Sequence, residues 1–85
     1  MIWKSTIIKG KLTGITTRHM AGDKVEPGIP TLHLRSEDVT YLCPTTDAFI
    51  NGLNIFDRIG QHVIVTAILN ADGRLIDTMT LLMEP

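Results

Sequence analysis

The sequence predicts a mainly β fold in which five strands close into a small barrel, with one short helix between the third and fourth strands. Three observations carry that expectation. Residues 61–82, QHVIVTAILNADGRLIDTMTLL, make two alternating, β-branched runs joined by Asn70-Ala71-Asp72-Gly73, residue types that suit a tight hairpin loop. Residues 3–17, WKSTIIKGKLTGITT, are rich in Thr and Ile and are interrupted by Gly10 and Gly14, as a strand is where it bends or bulges at a barrel corner. Between residues 45 and 60, Phe49, Leu53 and Phe56 recur at spacings of four and three, which is one stripe of a helix.

In the first strand Ile8 and Leu12 alternate with Ile7, Lys9, Lys11 and Thr13, so Lys9 and Lys11 share an outward, solvated face. Residues 18–30, RHMAGDKVEPGIP, hold two glycines and two prolines without an apolar period and read as a loop, which at this length is mobile or functional. Residues 31–35 and 38–43 then alternate about Ser36-Glu37. A two-residue turn there pairs Leu34 with Val39 and Leu32 with Tyr41 on the inside, and Arg35 with Asp38, His33 with Thr40 and Thr31 with Leu42 on the outside. Pro44 closes that strand, having no amide hydrogen to donate.

Thr45 or Thr46 caps the helix, with Asp47 in its first turn. Asn51-Gly52 leaves two possibilities open: one continuous helix, or a break with a second turn capped by Asn54 and ended by Gly60. In the last hairpin a loop of Ala71 to Gly73 sets Leu69 opposite Leu75, Val65 opposite Met79 and Val63 opposite Leu81. That register gathers Val63, Val65, Ala67, Leu69, Leu75, Met79 and Leu81 on one face, broken only by Asp77. The other face pairs Ile68 with Ile76, Thr66 with Thr78 and Ile64 with Thr80. A two-residue Asp72-Gly73 turn would swap the faces of one strand and scatter the apolar set.

A chain of 85 residues makes one domain, 1–85, with a single small core that needs neither disulfide nor metal. Its hydrophobic fraction of 44% and charged fraction of 20% exclude a disordered or fibrous chain. The first residues lack the apolar stretch of a signal peptide and no run is long enough to span a bilayer, so the expected location is the cytoplasm, without a membrane. The single cysteine, Cys43, agrees with a reducing compartment.

Charge is segregated along the chain. Up to Lys24 there are five basic residues (Lys4, Lys9, Lys11, Arg18, Lys24) against the one acid Asp23, whereas beyond it three basic residues face eight acidic ones. A distribution of this kind marks a face for an anionic ligand or a head-to-tail contact between copies of the chain, unless the early cations simply spread around the barrel.

A long glycine-bent strand, a loop, a hairpin, a short helix and a second hairpin together resemble the OB fold, a five-stranded Greek-key barrel. The most specific piece is Ile59-Gly60-Gln61-His62-Val63-Ile64-Val65-Thr66, followed by Asp72-Gly73-Arg74-Leu75-Ile76 and Met83-Glu84-Pro85, which is similar to the last two strands of many small OB domains. An SH3-type barrel is the alternative, but it would not need the helix. The resemblance implies that a single strand binds on the outer face of the first three strands, where basic residues follow the backbone and aromatic residues stack on bases. That face is expected to carry Lys9, Lys11, Thr13, His33, Arg35 and Thr40, with Trp3 at its edge and Arg18, His19 and Lys24 closing over it. The expected binding set is Trp3, Lys9, Lys11, Arg18, His33 and Arg35. Tyr41, Phe49 and Phe56 are expected inside, leaving Trp3 as the one platform. Each stacked base contributes about 1–3 kcal/mol, so such a face binds weakly or binds something other than a long strand.

Enzymatic chemistry is not expected. His19, His33 and His62 lack the local spacing of a metal site. Cys43 ends an inward run and is expected as a small buried residue, with His33 on the opposite face of the neighbouring strand. No phosphate loop, serine nucleophile motif or carboxylate pair can be read, and no cofactor is expected. Two functions remain: a module for single-stranded nucleic acid or another polyanion, and a module that self-associates or docks a protein through the apolar outer face of the last hairpin, Ile64, Ile68, Ile76 and Leu82.

Overall fold

The computed structural model describes residues 4–84. Its strands are β1 (Lys4–Ala21), β2 (Lys24–Ser36), β3 (Val39–Pro44), β4 (His62–Leu69) and β5 (Leu75–Met83), with helix α1 (Asp47–Leu53) and a single 3₁₀ turn (Ile55–Arg58) between β3 and β4. All pairings are antiparallel, in one sheet of order β3-β2-β1-β4-β5.

The long first strand holds the sheet together by changing partner half-way. Its first half, Lys4 to Lys11, pairs with β4, and from Lys11 onward it pairs with β2. Gly10 sits at the change. A Cβ there would stand 2.7 Å from the Arg35 carbonyl oxygen, so the two backbones approach as closely as they do only because the side chain is missing. Gly14 follows a register shift between Leu12 and Gly14, the expected bulge.

The sheet does not close into a barrel; β3 and β5 are its two edges. They approach each other across a seam where the Thr78 hydroxyl donates to the Pro44 carbonyl at 2.8 Å. Pro44 offers no N–H to a ladder, and β5 is irregular, with register shifts at Ile68/Leu69 and Thr66/Ala67.

Those shifts also correct the last hairpin. Close to the loop the register is the expected one: Leu69 faces Leu75, the Asn70 N–H donates to the Arg74 carbonyl at 2.9 Å, and Gly73 takes φ 79°. Further on, Ile76 and Met79 are left without a partner and each moves β5 by one residue, so that Val65 faces Leu81 and Ile64 faces Leu82. The first shift turns Asp77 out to solvent and Thr78 into the core; the second returns Leu81 to it. Met79, expected inside, is 53% exposed. A carboxylate that strict alternation would have buried is thereby kept in water.

The expected loop over residues 18–30 is strand for most of its length. β1 runs on to Ala21, a turn at Gly22 (φ 65°) and Asp23 reverses the chain, and Arg18 faces Pro27 across the extension. A ribbon with Arg18, Lys24 and Val25 all exposed is held by its backbone ladder, so it carries no apolar period to be read. The β2–β3 turn lies one residue later than expected, at Glu37-Asp38 with Glu37 at φ 56°. Leu34 therefore faces Tyr41, Leu32 faces Cys43, His33 faces Leu42 and Arg35 faces Thr40. Leu32, Leu34 and Cys43 are buried, but Val39 at 50% and Tyr41 at 37% exposure lie past the end of the core.

Thr46 caps α1, its Oγ1 accepting the Phe49 N–H at 3.2 Å. The helix passes through Asn51-Gly52 and ends at Asn54, whose left-handed φ of 50° starts the 3₁₀ turn. That break shifts the helical phase. Ile50 and Ile55 fill the core, Phe49 and Leu53 pack against it, and Phe56, expected inside, is 56% exposed. Together with Ile8, Leu12, Leu32, Leu34, Cys43, Val63, Val65, Ala67 and Leu81 they form one cluster of buried apolar side chains.

Candidate functional site

Alternation along β1 places Lys9 and Lys11 outward between the buried Ile8, Gly10 and Leu12. The β1–β2 register sets Lys11 directly opposite Arg35. Side chains opposed in this way share a face with their Cβ atoms about 5 Å apart, and two like charges so placed repel each other. An anion bound between them would relieve that repulsion. The Arg35 Nε donates to the Glu37 carbonyl at 3.2 Å, drawing the guanidinium towards the β2–β3 turn. Lys9 lies two residues from Lys11 on the same outward face, while Glu37 and Asp38, both exposed, border the group at the turn. The cationic group is thus Lys9, Lys11 and Arg35.

The other expected site residues fall differently. His33 is half-buried, two residues from Arg35 along β2, and its Nε2 lies 2.6 Å from the Thr16 Oγ1. Arg18 stands well beyond Lys9 along β1, by roughly 30 Å of strand at about 3.3 Å per residue. It lines a second cleft, of about 770 Å³, with Thr31, Thr45 and Asp47. Trp3 lies outside the described residues, as does the side chain of His19. On the outer face of the last hairpin Ile64 pairs with Leu82, which is exposed, whereas Ile64, Ile68 and Ile76 are only partly so.

A cleft of about 920 Å³ opens where the edges of β3 and β5 part. Tyr41 and Leu42 wall it on one side, Leu69, Arg74 and Leu75 on the other, and Ile7 to Lys9 lie along the first strand between them. Tyr41 and Arg74 are functional candidates that alternation alone did not reveal. The one signal for Arg74 in the sequence is a cation placed directly after the turn glycine.

Cys43 is fully buried, and loss of water around it pushes its thiol up from 9.0 to about 11. A thiol so placed is protonated near neutral pH and is a poor nucleophile. Among the described residues no three of His, Cys, Asp and Glu come together as a metal site, and no helix is long and apolar enough to cross a membrane.

Comparison of the chain with protein-family models, with curated proteins and with solved structures gives no match.

Proposed function

We propose that this chain is a non-enzymatic binding module of OB type that takes single-stranded nucleic acid, or another polyanion, on the outer face of β1 and β2. The observation that carries the reading is the cross-strand pair of Lys11 and Arg35, with Lys9 beside it, exposed on the strand shared by both halves of the sheet. The arrangement of elements supports the OB-type reading over an SH3-type barrel: β1 pairs with both β2 and β4, α1 lies between β3 and β4, and β3 and β5 approach at Pro44 and Thr78. Tyr41, exposed at the β3 edge, supplies an aromatic surface in a cleft that Lys9 also lines. Three cations bordered by two acids suit a short, weakly held footprint.

Titration of a labelled short oligonucleotide at low salt, followed by fluorescence anisotropy, tests the reading. Saturable binding that falls at least tenfold in the Lys9→Glu, Lys11→Glu double variant is expected. Binding equal in the two proteins would remove the basis of the proposal.

A second reading, self-association through the outer face of β4 and β5, is favoured by the exposed Leu82 beside Ile64. It predicts a concentration-dependent dimer in sedimentation velocity that Leu82→Lys converts to monomer.

A further inference from the structure

The cleft between the parted edges of β3 and β5 joins an apolar wall to two cations. Leu42, Leu69 and Leu75 give the wall and Tyr41 its aromatic part, while two cations line it as well, Lys9 from β1 and Arg74 from the turn of the last hairpin. Among the described residues no Asp or Glu lines it. A volume of about 920 Å³ matches the clefts that hold small organic ligands, in which apolar surface gives affinity and a few polar groups set orientation.

Leu75 packs against the core, but part of the apolar wall is exposed and plays no part in it. Leu42 is 54% exposed and sits on the unpaired edge of β3, so burying it costs the fold nothing and removes apolar area from water. Two cations with no acid among the described residues lining the cleft select against a cation and leave a neutral ligand without a charge partner. From this charge complementarity we infer that the cleft binds a small amphipathic anion, its apolar or aromatic body against Leu42, Leu75 and Tyr41 and its single carboxylate, sulfonate or phosphate held by Lys9 and Arg74. This goes beyond the polyanion reading: it shares Lys9 with that face but adds Arg74, Leu42 and the β3–β5 seam, so the Arg74 and Leu42 variants fail or succeed apart from it.

Titration with anilinonaphthalene sulfonate, an aromatic anion whose emission rises in apolar surroundings, tests the inference on the full chain. Saturable one-site binding is expected, about tenfold weaker in Lys9→Glu, in Arg74→Glu and in Leu42→Asp, and unchanged in the exposed control Lys24→Glu. Circular dichroism melts of every variant separate a lost site from a lost fold, and Lys9→Gln with Arg74→Gln should give the same ordering with a smaller effect. No binding by the native chain, or equal binding by all the variants, would overturn it. Displacement of the dye by decanoate and not by decanol supports a fatty-acid-like source of the anion. Displacement by adenosine monophosphate and not by adenosine supports a nucleotide. Displacement by the neutral member of each pair as strongly as by its anion, or by none of the four, would overturn the roles of Lys9 and Arg74.

Discussion

Cys43 has no exposed surface and a thiol that burial holds near 11, against 9.0 for the free group. The native chain therefore prefers the protonated thiol more strongly than the unfolded chain does. Below about pH 9 both states hold that proton and the native state keeps its full advantage; as pH rises towards 11 the unfolded chain releases the proton first and the advantage is lost. The loss is on the order of 2–3 kcal/mol across that window, read as a fall in urea midpoint that the Cys43→Ala variant lacks. The burial of Cys43 was legible from the alternation of its strand. The role of Gly10 was legible only in part: a glycine in a strand signals a bend, but that it lies against the Arg35 carbonyl depends on which strand arrives from far along the chain. Tyr41 shows the limit of alternation, which gives the face of a strand but not where the core beneath that face ends.

Among the elements, β5 shows how a local irregularity settles a conflict written into the sequence. Strict alternation left Asp77 among Val65, Leu75 and Leu81, and two bulges remove it while turning Thr78 inward to the Pro44 carbonyl. That hydrogen bond links the two edge strands, so Thr78→Val should cost about 1–2 kcal/mol, measured as a lowered urea midpoint with little change in slope. An unchanged midpoint would mean that the seam is held by packing alone. The strand order rested on non-local pairing and could be approached only through the resemblance of the whole pattern. The exposed β1–β2 ribbon was missed because its stability lies in backbone hydrogen bonds, which leave no apolar period. The Gly22-Asp23 pair was the one cue to it. Helix α1 was visible through its Thr46 cap and the break at Asn54 was one of the two arrangements open, whereas the phase that brings Ile55 in place of Phe56 into the core was not legible.

For the whole molecule, charge segregation along the sequence becomes segregation in space only in part. Lys9, Lys11 and Arg35 lie together, while Arg18 is carried away on the ribbon to another cleft. The net charge of −1 gives the whole chain no long-range attraction for a polyanion, so the proposed binding rests on these three side chains at short range. The most direct measurement is the salt dependence of oligonucleotide binding. Three phosphate contacts to a single strand predict a slope of about −2 for the logarithm of the association constant against the logarithm of salt concentration, reduced in size by about 0.7 when Lys11→Gln removes one contact. A slope near zero, or one that Lys11→Gln leaves unchanged, would contradict a polyanion site on β1 and β2.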